Sequence, residues 1–307
     1  MLIAVGLLIL SIVILYYGAE FSLDASEKVG QKIGLSPFMI GMLLVGFGTS
    51  LPEFFVAHIA GIQGKIGMAI GSLVGSNIAN MLLILGVCSL IVPLVMAGKD
   101  ILKQLIIHLL LGLVLIFVLS REKLDLISAT PLLAIVAVYL YVLLDEFKNY
   151  TPESKGEKFN PAITVIKLLA GFGMLYIGGE ILVKSGTDLC VELGVSEYIV
   201  SAILLAFGTS FPELVTSILA ALKKKETDLI VGNIVGSNLF NCAFILGSLG
   251  IYEMKVEGDF KIELIAVLSA SAFLLLFSFI KRPFFRFGGF VFLVGYGVMI
   301  KYWISAA

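Results

Sequence analysis

The chain has 307 residues, of which 59% are hydrophobic and 14% are charged, and its mean hydropathy is +1.08. Soluble domains contain about 25% charged residues, so this composition indicates a membrane protein and excludes a disordered chain, a coiled coil and a nucleic-acid-binding protein. The 21 Lys and Arg and the 22 Asp and Glu give a net charge of -1, so no overall field recruits a charged partner.

Ten windows of about 20 apolar residues, the length that crosses a ~30 Å hydrocarbon core, follow one another along the chain. Five precede a polar linker at residues 147–161 (FKNYTPESKGEKFNP) and five follow it. The predicted spans cover residues 2–23, 37–62, 67–92, 101–120, 124–146, 162–183, 197–222, 228–250, 261–280 and 285–304. The sequence therefore predicts an all-α membrane protein with ten transmembrane helices.

The two halves of the chain repeat one another at an offset of 160 to 161 residues. GFGTSLPE at 46–53 matches AFGTSFPE at 206–213, and GSLVGSNIAN at 71–80 matches GNIVGSNLFN at 232–241. A unit with an odd number of spans ends on the side opposite its start, so its second copy is inverted, as in many transporters. We therefore predict a first five-helix repeat at 1–146 and a second, inverted one at 162–307.

The positive charges indicate an orientation. Fourteen of the 21 Lys and Arg fall on the side of the linker and seven on the other side. Because positively charged loops are retained in the cytoplasm, we expect the linker to be cytoplasmic and both termini to be extracellular, in a multi-pass protein of the cell membrane.

Glu53 and Glu213 are the most informative residues, because each lies about seventeen residues into an apolar span. A carboxylate at that depth costs at least ~2.5 kcal/mol and is by default a functional-site hypothesis. Pro52 and Pro212 precede them, and a proline within a helix leaves the carbonyl four residues earlier without its amide partner. Freed carbonyls at Gly48 and Gly208, together with four adjacent hydroxyls, would present oxygen to a cation; those hydroxyls belong to Thr49, Ser50, Thr209 and Ser210.

A second set of polar residues lies in spans three and eight. Ser76 and Asn80 are four residues apart and share a helix face, as do Ser237 and Asn241. Glycines at four-residue spacing in the same spans indicate close helix packing, which would bring Asn80 and Asn241 towards the glutamates.

All of these ligands are hard oxygen donors, and none is a histidine or a cysteine. Zinc, copper and iron prefer imidazole or thiolate, whereas Ca2+ accepts an irregular shell of six to eight oxygens. The set favours Ca2+, with Mn2+ as an alternative. When the ion leaves, two protons would neutralise the two carboxylates, so the charge count predicts Ca2+/H+ exchange and leaves Na+ as the alternative counter-ion.

These residues resemble the calcium/cation antiporter superfamily, which includes Na+/Ca2+, potassium-dependent and Ca2+/H+ exchangers. The resemblance extends over essentially the whole chain through the paired GTS-x-PE and GSN-x-x-N motifs. It implies ten helices in two inverted halves, with helices two, three, seven and eight around the ion and helices one and six sliding against them. The coordinating set that it implies consists of Glu53, Glu213, Thr49, Ser50, Thr209, Ser210, Ser76, Asn80, Ser237, Asn241 and the backbone carbonyls of Gly46 and Ala206.

The chain departs from the sodium-coupled members at one point. Those members typically carry an aspartate in one of the two GSN motifs, whereas this chain has Asn80 and Asn241, as in the proton-coupled branch. The GTS-x-PE motif itself is more similar to that of the sodium exchangers, so both H+ and Na+ remain possible counter-ions.

Two other functional classes, a cation channel and an intramembrane enzyme, fit the sequence less well. A cation channel is usually assembled from several chains around a continuous filter, and an enzyme would need a base beside Ser50 or Ser210. The sequence favours a transporter that is not an enzyme, with the lipid bilayer, Ca2+ and a counter-ion as its partners. We expect no resident cofactor and no obligate protein partner.

Overall fold

Helices make up nearly all of the structure, a computed structural model that describes residues 2–95, 98–150, 159–192, 208–256, 258–280 and 282–306. The helices before the linker are α1 (Leu2–Ile33), α2 (Pro37–Ile40), α3 (Phe47–Thr49), α4 (Leu51–Ile62), α5 (Ile66–Ile78), α6 (Leu85–Ile91), α7 (Lys99–Leu119) and α8 (Leu126–Asn149). Those after it are α9 (Pro161–Glu192), α10 (Phe211–Leu222), α11 (Thr227–Leu239), α12 (Leu246–Ser248), α13 (Lys261–Phe279) and α14 (Arg286–Ala306).

Short π-helical and 3-10 turns join several of these helices into continuous rods. The π-helical turns are Gly41–Gly46, Ala79–Ile84 and Phe240–Ile245, and the 3-10 turns are Gly208–Ser210 and Leu249–Tyr252. Within the described residues, eight helices are long and apolar enough to cross a membrane, or nine when the pair Pro37–Thr49 and Leu51–Ile62 is taken as one bent span. Gly208–Leu222 is a shorter apolar helix. The first part of predicted span seven lies outside the described residues, so the count of ten stays a prediction.

The two rods that contain the GSN motifs form the centre of the bundle. Of an apolar 18-residue stretch in each helix, 78% is buried in Gly67–Ile91 and 89% in Thr227–Tyr252, but only 28% in Ile3–Ile33 and in Pro161–Leu189. In a membrane, the polar residues of a spanning helix face the interior of the bundle rather than lipid. The polar motifs therefore lie in the least lipid-exposed part of the molecule.

Glycines allow the first half of span two to pack against α11 with almost no space between the backbones. A Cβ on Gly41 would lie 2.1 Å from the carbonyl oxygen of Leu229, and one on Gly232 would lie 2.2 Å from that of Phe38. Gly236 meets Met42 in the same way, at 2.7 Å. The packing role expected for the glycines of span eight is therefore present, with the first half of span two as the neighbour.

Helices α1 and α9 pack along each other on the outside of the bundle. A Cβ on Gly18 would lie 2.9 Å from the amide of Leu175, and one on Gly171 would lie 2.5 Å from that of Ser22. Each helix has 32 residues and is about 48 Å long, which exceeds the hydrocarbon thickness. Both helices therefore continue as helix beyond the predicted spans, which end at residues 23 and 183, into charged stretches that the hydropathy pattern leaves out.

α1 ends where its chain reverses direction. Gly34 has a φ of +86°, a conformation open to glycine at little cost. The next helix then begins with Ser36, whose hydroxyl accepts the amide of Met39 at 3.2 Å, followed by Pro37 in the first turn.

The loops that the sequence assigns to one side of the membrane meet each other. Leu94 and Phe284, both on the linker side, form an isolated antiparallel bridge. On the opposite side, β1 (Lys123–Leu124) pairs with β2 (Met254–Lys255). This two-stranded ladder is a small departure from the predicted all-α class, and it joins two loops from different halves by providing partners for their backbone groups.

Substitution of Gly232 tests the close crossing. Gly232→Ala is expected to lower the free energy of unfolding by about 1–3 kcal/mol, because the added methyl group overlaps the carbonyl of Phe38 and the helices must separate. Thermal unfolding in detergent measures the effect. Gly297→Ala in α14 is the matched control, since no described atom lies within 4 Å of its Cβ. Equal melting temperatures for the two variants would contradict the crossing.

Candidate cation-binding site

Each glutamate lies at the start of a helix that follows an interruption of the helical backbone. Ser50 leaves the helical conformation, with φ -86° and ψ 4°, and α4 begins immediately after it at a bend of 43°. Ser210 has φ -85° and ψ 5° before α10. The prolines occupy the first turn of each new helix, where no amide hydrogen is needed, and Glu53 lies in the first turn of α4. The positive end of a helix dipole therefore faces a carboxylate.

The two carboxylates are buried in the centre of the bundle. Glu53 is 1% exposed and Glu213 is 0% exposed, and Ser76, which contacts Glu53, also contacts Ser210, three residues before Glu213. Burial of an ionised group costs several kcal/mol unless an opposite charge and hydrogen bonds compensate for it. The predicted pair is therefore brought together, in an environment that demands positive charge.

Serine hydroxyls connect the glutamates across the two halves. Ser50 Oγ donates to Glu213 Oε1 at 3.1 Å, and Ser76 Oγ lies 3.1 Å from Glu53 Oε1. Ser76 Oγ also lies 2.8 Å from Ser210 Oγ. Ser237, the repeat equivalent of Ser76, donates to the carbonyl of Gly46 at 3.1 Å, and Ala206, the repeat equivalent of Gly46, lies outside the described residues.

Asn80 and Asn241 lie in π-helical turns that start one residue before each of them, Ala79–Ile84 and Phe240–Ile245. Single π-helical turns inside α-helices are frequent at functional sites. Asn241 Nδ2 donates to Ser76 Oγ at 3.2 Å, so its amide joins the same cluster. The hydropathy pattern contains no signal for these turns, although the repeated position of the two asparagines could have drawn attention to them.

Several oxygens at the site have no hydrogen-bond partner among the described residues, although all are buried. They are Glu53 Oε2, Glu213 Oε2, Asn80 Oδ1, Asn241 Oδ1 and Thr209 Oγ1. An unpartnered buried acceptor is costly, and five of them come from the short motifs of both halves. All five are hard oxygen donors, the kind of group that a hard cation accepts.

The other predicted ligands have different surroundings. Thr49 Oγ1 donates to the carbonyl of Val45 at 3.0 Å, the usual back-bond of a helical threonine. The carbonyl of Gly46 accepts from Ser237 Oγ and from the amide of Ser50 at 3.2 Å. These groups lie beside the glutamates and have partners there. Ala206 falls outside the described residues.

Asn77 and Asn238, which follow Ser76 and Ser237 in the same motifs, bind one another. Asn77 Nδ2 donates to the backbone carbonyl of Asn238 at 3.1 Å, and Asn238 Nδ2 donates to that of Asn77 at 3.4 Å. This reciprocal pair joins the two central rods next to the site.

The described residues contain no group of three or more His, Cys, Asp or Glu side chains that could hold a metal. Such a group is typical of zinc and other transition metals. His58, one of the chain's two histidines, bonds to Tyr252 and Ser248, each at 3.0 Å. Its contacts are those of a residue that joins α4 to the end of the eighth span.

A cavity of about 270 Å³ lies next to the ligand set, lined in part by Pro52, Thr209 and Pro212. It extends along α9 to Glu180 and Thr187, towards the side of the bundle opposite the linker. On the linker side, α1 and the loop after α10 are joined by ion pairs between Glu20 and Lys223 and between Glu27 and Lys225.

Comparison with known proteins adds independent findings. A family model described as "Sodium/calcium exchanger protein" matches residues 3–144 and again 163–304. The inner membrane protein YrbG of Escherichia coli is 31% identical, over 80% of this chain and 79% of that protein. The sodium/calcium exchanger MaX1 of Methanosarcina acetivorans is 28% identical, over 80% of this chain and 82% of that protein. A solved structure of the sodium-calcium exchanger NCX_Mj, soaked with Na+ and Sr2+, has a TM-score of 0.83 at 27% identity and covers 98% of both chains.

Neutralising either glutamate tests the ligand set. Glu53→Gln and Glu213→Gln should each weaken Ca2+ binding more than about 30-fold, the factor that corresponds to the loss of one member of a buried charge pair. Calorimetric titration of the purified protein in detergent gives the affinity. Glu263→Gln is the control, because Glu263 is a glutamate of a spanning helix that bonds to Trp303 at 2.9 Å. Unchanged affinity in either site variant would remove that glutamate from the set.

Proposed function

Because the chain belongs to the sodium/calcium exchanger family, we propose that it is a secondary active antiporter that exchanges Ca2+ for H+ across the cell membrane by alternating access. Members of this family exchange ions and are not enzymes. The proposal rests on the pair of buried glutamates, one from each half. The Oε2 atom of each has no hydrogen-bond partner among the described residues.

Ca2+ is the proposed substrate because of the number and kind of oxygens. Among the described residues, two carboxylate oxygens, two amide oxygens and the hydroxyl of Thr209 have no partner. The hydroxyls of Ser50, Ser76 and Ser210 contact the glutamates or one another. Six to eight oxygens in an irregular shell suit Ca2+, while Mg2+ requires a small octahedron and retains water. The ion's two charges balance those of Glu53 and Glu213.

The charge count also suggests the counter-ion. Residues 80 and 241 are neutral amides, so the cluster contains two formal negative charges. Two protons replace one Ca2+ without leaving a net charge in a region of low dielectric, whereas three Na+ would leave one positive charge there. Ca2+/H+ exchange at a ratio of one to two is therefore the proposed reaction.

Na+/Ca2+ exchange is the second candidate, and a specific observation favours it. MaX1 and NCX_Mj are both described as sodium/calcium exchangers, and NCX_Mj matches this chain over nearly its full length. The same site would serve in either case, with Na+ ions in place of the protons.

The proposed architecture has ten spans in two inverted five-helix repeats, with both termini outside. The family model's two matches, one in each half, support the repeat. The cavity beside Thr209 would then be the route from the outside, and the ion pairs of α1 with the loop after α10 would close the cytoplasmic side. Alternating access requires a second state in which the cytoplasmic side is open and the outer route is closed.

Vesicle transport with separate gradients tests the coupling ion. In proteoliposomes loaded at acidic pH, we expect Ca2+ uptake from a more alkaline medium, because outward proton flow drives exchange. Uptake should be independent of a potassium diffusion potential set with valinomycin, since one Ca2+ for two H+ moves no net charge. Vesicles containing Glu213→Gln provide the background rate.

Other outcomes select the alternatives. Uptake that requires internal Na+ and increases with an inside-positive potential would replace H+ by three Na+, because exchange of one Ca2+ inward for three Na+ outward moves one net positive charge out of the vesicle. Ca2+ flux that ignores both gradients would contradict antiport and favour a channel.

Asn241→Asp tests the charge count. A third carboxylate should allow Na+ to compete with Ca2+, because three negative charges match three Na+, so Na+ should displace Ca2+ at a concentration about tenfold lower than in the unmodified protein. Competition titrations of bound Ca2+ with NaCl measure this shift. Asn241→Ala, which removes the amide without adding charge, is the control. If Asn241→Asp responds to Na+ as the unmodified protein does, the charge count does not set the counter-ion.

A further inference from the structure

A buried chain of hydrogen bonds connects α13 to Asn80 through His108, a residue of α7 for which the ion site has no direct use. Ser271 Oγ lies 2.7 Å from the carbonyl oxygen of Val267, and His108 Nδ1 lies 2.9 Å from Ser271 Oγ. Asn238 Nδ2 lies 3.2 Å from His108 Nε2, and Asn80 Nδ2 lies 3.0 Å from Asn238 Oδ1. His108 is 1% exposed, and Ser271, Asn238 and Asn80 are fully buried.

The donor and acceptor of every hydrogen bond in this network follow from the first bond, in which Ser271 contacts the carbonyl of Val267. A backbone carbonyl only accepts, so the single hydrogen of Ser271 goes to Val267. His108 must then donate to Ser271 from Nδ1, which leaves Nε2 as an acceptor in the neutral ring. The amide of Asn238 therefore presents its NH2 group to Nε2 and its oxygen to Asn80.

A second contact independently requires the same orientation of Asn238. Its Nδ2 also lies 3.4 Å from the backbone carbonyl oxygen of Asn77, which again can only accept. If the amide of Asn238 turned over, its oxygen would face both a carbonyl oxygen and the acceptor nitrogen of His108, and neither contact would be a hydrogen bond.

The last hydrogen bond of this network, between Asn80 and Asn238, determines which atom of Asn80 faces the ion. Because Asn238 Oδ1 occupies the NH2 group of Asn80, the other end of that amide is Oδ1, which is buried without a partner among the described residues. A cation needs this oxygen, and an NH2 group in its place would be repelled. Amide groups can present either end, so a neutral ligand requires its orientation to be set from outside.

We propose that His108 is a positioning residue for ion binding: through Asn238, its Nε2 acceptor holds the amide of Asn80 with the oxygen directed at the ion. This inference rests on the proposed function, since it assigns the ligand atom of the proposed site. Outer partners of metal ligands usually change affinity by about 10- to 100-fold when removed.

Two variants of His108 separate positioning from packing. His108→Phe keeps a ring of similar volume but removes the acceptor, and it should raise the Kd for Ca2+ by about 10-fold or more. His108→Gln can donate to Ser271 from its NH2 group and accept from Asn238 at its oxygen, so it should restore the Kd to within about threefold of the wild-type value. Calorimetric titration in detergent gives Kd, and melting temperatures report packing separately.

The Asn80→Ala background shows whether the effect passes through Asn80. There His108→Phe should change the Kd by less than about twofold, because no amide remains to be oriented. A loss of the same size with and without Asn80, or a Kd for His108→Phe equal to that of the wild type, would overturn the proposal.

A third variant keeps the ring itself in place. If His108→Phe does not fold, Ser271→Ala is used instead, since it removes the acceptor that keeps the proton on Nδ1. It should also raise the Kd, and an unchanged Kd would overturn the proposal. Wild-type protein that binds no Ca2+ in the same titration would contradict the proposed function itself, whereas wild-type binding with unaffected variants would contradict only the role of His108.

Discussion

Two buried carboxylates that form no salt bridge within the described part of the chain are the constraint on which this structure depends. Glu53 and Glu213 are both buried, and ionised groups in such surroundings lose several kcal/mol of hydration. Hydroxyl and amide contacts recover part of that loss, and a mobile cation can recover the rest. The broken helices follow from the same need, because each break puts the positive end of a helix behind a glutamate. Close crossings such as that of Gly232 with Phe38 then keep the two halves near enough to share one ion.

The two sides of the bundle differ in a way that matters for transport. A cavity leads along α9 towards Thr209 from the side opposite the linker. On the linker side, Asp24 of α1 contacts Lys167 of α9 at 3.7 Å, while Glu20 and Glu27 pair with lysines of the loop after α10. Half-exposed ion pairs of this kind are worth little individually. They can therefore hold one arrangement of α1 and α9 against the bundle and still separate when the opposite arrangement is required.

The repeat constrains the site, and packing decides the rest. Because the same acid occurs in the same motif of both halves, Glu53 and Glu213 were expected to lie together in the interior. Both are buried, and Ser76 contacts Glu53 and Ser210, while their role as ligands stays a prediction. Hydropathy could not find the charged ends of α1 and α9, since Asp24 and Lys28 form helix while lowering the apolar average. Nor could it indicate which oxygen each hydroxyl contacts: Ser76 contacts Glu53 and Ser210, and Ser237 contacts the carbonyl of Gly46. These contacts depend on how the neighbouring helices pack.

The neutral amides at positions 80 and 241 explain why polar groups extend so far from the ion site. A carboxylate has acceptors at both ends and needs no help to face a cation, but an amide has a donor at one end. A ligand set with an amide in place of a third carboxylate must therefore fix which end of that amide faces the cation. Asn241 is held by Ser76, inside the site. Asn80 has its NH2 group bound to Asn238, whose own orientation depends on His108 and Asn77. The orientation of this neutral ligand thus depends on buried side chains as far as α13, where the carbonyl of Val267 accepts the hydrogen of Ser271.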